Sequence, residues 1–238
     1  MTQNRISFGN PVLFVEEHFM SADYFKTIIV PMLEGAETTI LLFLIAIAVS
    51  IPLGFLLTLA VRSKFKPLSL LCQGYIHLMR GTPLLLQLLF ICFGLPLIPG
   101  IGQYLVLDRF VAAALGFTLN YAAYFAEIFR GGLLAIDKGQ YEASKVLGLS
   151  RWQTTRKIIL PQMFRIALPA VANESVTLVK DTALLYAVAV PELLHFAETA
   201  VNRDFTIMPF FYAGVIYLII TFVLSMFFRW LERRFKFE

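Results

Sequence analysis

The sequence predicts an all-α membrane protein with five transmembrane helices, and three observations carry that prediction. Hydrophobic side chains make up 58% of the 238 residues and charged ones only 15%, against roughly a quarter charged in soluble domains. The apolar residues fall in runs long enough to cross a bilayer. The basic residues gather between those runs, and almost all on one side. The net charge of +4 is therefore a topology signal and not a nucleic-acid one.

Taken in order, residues 1–34 hold no apolar run of signal-sequence length, because Glu16, Glu17, Asp23 and Lys26 interrupt it. They read as an extracytoplasmic segment, with an interfacial amphipathic helix over about 22–33. The first span covers about 35–61, with Pro52 and Gly54 predicting a kink. An amphipathic piece over 68–79 leads into Arg80-Gly81-Thr82-Pro83 and a second span at about 84–97. That span is short, so residues before Pro83 are expected to supply part of the crossing. Pro96, Pro99, Gly100 and Gly102 end it in a turn-rich loop. The third span, about 110–136, is dense in Ala and Gly, which lets helix backbones approach closely. The fourth covers about 166–190 and the fifth about 209–228. The membrane domain thus runs over 35–230, and 231–238 reads as a tail.

Five spans place fifteen Lys and Arg on one side, in the 62–66 loop with Arg80, the 130–165 region and 229–236; only Arg5, Lys26, Arg109 and Arg203 lie on the other. The rich side is assigned to the cytoplasm, with the N-terminus outside and the C-terminus inside. Cys72 and Cys92 have no metal-type spacing and read as buried thiols, and His18, His77 and His195 are too scattered for a metal site. No serine, cysteine or paired-carboxylate constellation suggests catalysis, and no G-x-x-x-x-G-K-[ST] loop is present to cradle nucleotide phosphates.

The stretch 139–161 is too charged to cross a membrane, yet it is patterned. Gly139 and Gln140 open a short helix through Glu142, Ala143, Ser144 and Leu147, and Gly148 can take the left-handed conformation that turns the chain. Ser150 stands three residues before Gln153, a capping-box spacing that starts a second helix, and Pro161 is expected to close or kink it. Val146, Leu147 and Leu149 supply apolar surface. Two readings fit these residues: a docking element for a partner, or an interfacial helix pair held on lipid headgroups by its basic residues.

Glu142-Ala143-Ser144, then Gly148, then Ile158, Leu160 and Pro161 resemble the EAA motif of ATP-binding-cassette importer permeases. Every spacing matches, and Ser144 for the third small residue is the one departure. Arg80-Gly81-Thr82-Pro83 and Lys180-Asp181-Thr182 resemble the polar amino acid subgroup, in which Ser is common where this chain has Ala183. The resemblance extends from about residue 35 to the C-terminus. It implies the type I importer permease fold and a cytoplasmic coupling helix formed by Glu142, Ala143, Ser144, Gly148, Leu149, Ile158, Leu160 and Pro161. It also implies two copies of a separate ATPase that binds ATP and Mg, a second permease subunit (identical or paralogous), and an extracytoplasmic amino acid-binding protein. The chain itself would be no enzyme and would carry a polar amino acid across the inner membrane of a bacterium.

Ionisable groups inside a span cost roughly 2.5–3.5 kcal/mol on insertion scales and so mark cavities or partners. Asn173, Glu174, Thr177, Lys180 and Asp181 share a broad face of the fourth span, and Asn120, Tyr124 and Glu127 recur similarly on the third. Together they offer donors for a carboxylate and acceptors for an ammonium, and Thr82 beside Pro83 adds a hydroxyl. The same residues can instead pair between helices, Glu127 with Arg130 or Arg165 for example. An ion-coupled secondary transporter or channel using Glu127, Lys180 and Asp181 is the competing function, although such proteins often contain repeated halves and none is visible here.

Overall fold

The computed structural model describes residues 22–235, all of whose regular elements are helical. The expectations for residues 1–21 and for Lys236 lie outside the described residues. Three helices are long and apolar enough to cross a membrane, and five spans result if each of two bent helix pairs is counted as one.

Helix α1, Ala22–Val61, has 40 residues with Pro31 and Pro52 inside it. At 1.5 Å per residue it is about 60 Å long, twice the ~30 Å hydrocarbon core. The expected separate helix over 22–33 is thus continuous with the first span, and the boundary near residue 34 falls inside a helix. Neighbours explain why nothing breaks there. A Cβ on Gly35 would lie 2.7 Å from the Glu192 carbonyl group, and one on Gly54 would lie 2.7 Å from the Phe125 Cβ. The glycines let other backbones press close where a larger residue would force separation.

Those neighbours belong chiefly to α4, Arg109–Leu134, which is capped by Asp108 and buried along most of its length. Two hydroxyls fasten α1 to it: Ser50 donates to the Thr118 carbonyl at 3.2 Å, and Thr58 to the Ala126 carbonyl at 2.9 Å. Of the small residues expected to allow close packing, Ala112, Ala113, Gly116, Ala122, Ala123 and Ala126 are buried, and Ala114 is partly so.

Between them, α2 (Lys66–Gly81) and the arm that begins with α3 (Leu84–Leu89) and ends at Leu97 meet at 107°. The stretch before Pro83 therefore does not extend the second span in line. Pro83 removes a donor, and Thr82 before it sits in extended backbone (φ −120°, ψ 148°) as a pre-proline residue must.

Beyond α4 lie α5 (Lys138–Val146), α6 (Arg151–Thr154) and α7 (Leu160–Asp181). A 3-10 segment, Thr182–Val188, continues α7 and ends at Ala189 in the left-handed region (φ 56°). Helix α8, Leu193–Asp204, then turns away at 54°. The sequence reading assigns no element between the fourth and fifth spans, so α8 is an addition. It is short, and its apolar face (Leu193, Ala197, Ala200) is buried against Tyr24, Ile28, Met32 and Ala36 of α1. Helix α9, Met208–Phe235, outruns the expected fifth span, and the described part of the tail is helical. Few of its residues are buried.

Candidate functional site

Two groups of residues stand out: the 137–161 element at one end of the bundle and a polar cluster within it. The first is built by local hydrogen bonding. Asp137 caps α5 by accepting from the Gly139 amide, and the helix begins at Lys138, one residue before the start read from the sequence. Ser144 is buried and donates to the Gln140 carbonyl at 2.6 Å. Gly148 turns the chain at φ +71°, and the Leu149 amide reaches back to the Ser144 carbonyl at 3.0 Å. These bonds consume the carbonyls left open at the end of α5.

The capping box is present in both directions, with Gln153 amide to Ser150 Oγ at 3.3 Å and Ser150 amide to Gln153 Oε1 at 2.9 Å. Pro161 does not close the second helix. A π-turn over Thr155–Ile159 absorbs the missing donor just before it, and the chain stays helical into α7. Ile158 and Leu160 pack against the main core, and Gln162 donates to Gln140 at 3.0 Å, tying α5 to the base of α7. Glu142 and Ala143 are exposed. So are Val146 (88%), Leu147 (73%) and Trp152 (67%), an apolar surface on an otherwise charged element.

In the second group Asp181 accepts a hydrogen bond at 2.7 Å from the hydroxyl of Tyr121, a ring buried in α4. Glu174 is half-buried and stands two turns before Asp181 on the same face of α7. Arg80 lies 4.0 Å from Glu127 and places its guanidinium 5.3 Å from the centre of the Tyr124 ring. Glu127 is also paired with Arg130, one of the two structural partners foreseen for it. Lys180 is exposed, and its side chain makes no hydrogen bond or ion pair among the described residues. Asn173 is exposed beside it, and Thr177 donates to the Asn173 carbonyl at 3.2 Å.

Asn120 and Thr82 have a different task. Asn120 donates to the Met79 carbonyl at 3.1 Å and to Gln87 Oε1 at 2.9 Å, while Gln87 donates to Thr82 Oγ1 at 2.7 Å and to the Met79 carbonyl at 2.9 Å. This network fastens the 107° bend to α4. The structure thus gathers Arg80, Tyr121, Tyr124, Glu127, Glu174 and Asp181 around the bend, while Asn120 and Thr82 hold the bend itself. Tyr121 and Gln87 were missed. Tyr121 lies one residue from Asn120 and three from Tyr124, on a helix already singled out, and that was the signal available.

The profile described as "Binding-protein-dependent transport system inner membrane component" matches residues 50–237. The arginine transport system permease protein ArtQ of Bacillus subtilis (strain 168) is 34% identical over 91% of this chain and 99% of its own length. The glutamine transport system permease protein GlnP of Escherichia coli (strain K12) is 38% identical over 86% of this chain and 93% of its own. Among solved structures, an amino acid ABC transporter crystallised with histidines has a chain that superposes with TM-score 0.80 at 30% identity, covering 90% of this chain and 100% of that one.

Proposed function

The chain belongs to the family of binding-protein-dependent transport system inner membrane components, and from that premise we propose how its two groups of residues divide the work of a permease subunit in an amino acid ABC importer. The type I permease fold, the inner-membrane location and the need for a separate ATPase and a substrate-binding protein follow from the family. The relatives and structural neighbours are ABC transporter components, which sets aside the ion-coupled transporter or channel.

The 137–161 element is the coupling helix, and the observation that carries this is its shape. A short helix, a glycine turn and a boxed second helix are held rigid from within, yet present Glu142, Ala143, Val146, Leu147 and Trp152 outward. The apolar part of that face suits burial in a protein groove. Two ATPase copies bind ATP and Mg, and a second permease, identical or paralogous, completes the pathway. The coupling element and the C-terminus face the cytoplasm, and the N-terminus lies outside. ATP-driven closure of the ATPases favours one state of the spans only by binding it more tightly than the other.

The substrate pathway passes the cluster of Arg80, Glu174, Lys180 and Asp181, whose mixed charge suits a zwitterion. Glu142→Lys should leave the complex inserted and assembled but abolish ATP-driven uptake, measured with purified complexes in vesicles. Normal uptake by that variant would remove the coupling assignment.

A further inference from the structure

A groove of about 400 Å³ runs along α7 from the coupling element into the bundle, a volume at the low end of small-molecule sites. On α7 it is lined by Pro161, Phe164, Leu168 and Val171, which recur every three or four residues and so share one face. Phe228, Leu231 and Phe235 of α9 form the facing wall. From Pro161 to Val171 the helix rises about 15 Å, half of the ~30 Å hydrocarbon core and hence the depth of one leaflet.

The lining is almost wholly apolar, so a zwitterionic amino acid would lose its hydration there with nothing in return. The one cationic side chain among its described lining residues, Arg165, stands one turn from Pro161, at the end nearest the membrane surface. Arg233 and Arg234 lie in the last turn of α9, close in sequence to the exposed, stacked pair Phe227 and Trp230. Tryptophan marks headgroup depth, and clustered arginines there attract anionic lipid. An apolar trench one leaflet deep, closed at its outer end by positive charge, has the form of a phospholipid and not of a soluble ligand.

We propose that this groove holds an acyl chain of an anionic phospholipid from the cytoplasmic leaflet, with its phosphate at Arg165. The chain would fill the space between Pro161, at the base of the coupling element, and α9, bracing the element against the bundle. The proposal rests on the cytoplasmic placement of that element.

The test uses the assembled complex in its native membrane, with Phe164 replaced by the photoreactive p-benzoylphenylalanine. Illumination should join this position to a phospholipid, identified by mass as carrying an anionic headgroup. Leu168→Trp, which fills the groove, should remove the adduct. Arg165→Gln, at the rim and less exposed to any folding defect, should shift the captured headgroups towards zwitterionic ones. Capture of a second permease chain or of the ATPase in place of lipid overturns the proposal, as does an adduct unchanged in amount by Leu168→Trp or in headgroup by Arg165→Gln. Copurification of an ATPase from the same preparation is scored separately: its failure would sink the importer reading while leaving the lipid adduct to stand or fall alone.

Discussion

Asp181 places a carboxylate at the end of α7, inside the fourth span, and the Tyr121 hydroxyl donates to it at 2.7 Å. Interhelical hydrogen bonds in membranes average only about 0.6 kcal/mol, small against the 5–15 kcal/mol that keeps a typical domain folded. Tyr121→Phe should therefore leave assembly and thermal stability nearly unchanged while freeing Asp181 to swing or to pair with Lys180. If the cluster lines the pathway, uptake should show an altered apparent affinity or amino acid preference, read by uptake assays over a substrate panel. Unchanged transport would assign the bond to packing alone. At this scale the polar residues of the fourth span were legible, because an ionisable group in an apolar run is conspicuous. Their partners were not. Tyr121 passes for an ordinary membrane aromatic, and Gln87 for a lone amide, until the fold sets each beside its acceptor. The same holds for Glu192, fully buried, which accepts from the His195 amide and the Tyr217 hydroxyl, each at 2.8 Å.

The coupling element was read closely from its punctuation, since glycine turns and capping boxes are local chemistry. Its helix start, the Gly148 conformation and the Ser150–Gln153 box depend only on residues within a turn of each other. That the chain stays helical through Pro161 was not legible, because the π-turn upstream is an accommodation that no residue announces. Two predictions belong here. Ser150→Ala removes the cap and should cost about 1 kcal/mol, seen as faster hydrogen exchange over 150–154 and weaker ATPase binding, with the spans unaffected. Gly148→Val forces a β-branched residue into the left-handed region, at roughly 1–2 kcal/mol or more, although a Cβ there meets nothing within 4 Å inside the chain. The variant should fold, yet couple poorly. Full ATP-driven uptake by Gly148→Val would mean that the turn geometry is not what the partner reads. The bends follow the same logic: the sequence pointed to a crossing shared across Pro83, whereas the chain turns there by 107° and the Asn120–Gln87–Thr82 bonds tie that bend to α4.

For the whole molecule, the number and rough positions of the spans were legible because hydropathy is a property of the chain alone, whereas the full lengths of α1 and α9 and the existence of α8 were hidden. Its burial depends on the first half of α1, nearly two hundred residues away in sequence, and a short helix with three charged residues reads as loop. The topology that joins these parts can be tested directly. The chain passes the bundle once between the 137–161 element and α8, so Phe205, almost fully exposed at the end of α8, lies on the opposite side from Lys64 in the α1–α2 turn. The proposed orientation puts the Lys64 side, where Lys and Arg are in excess, in the cytoplasm, since basic loops resist translocation. With Cys72 and Cys92 replaced by Ser, Phe205→Cys should react with a membrane-impermeant maleimide in cells whose inner membrane is intact. Lys64→Cys should react only after that membrane is permeabilised. The reverse pattern would turn the molecule over, putting Val146, Leu147 and Trp152 on the side without ATP, where they could serve no ATPase, and the coupling assignment would go with it.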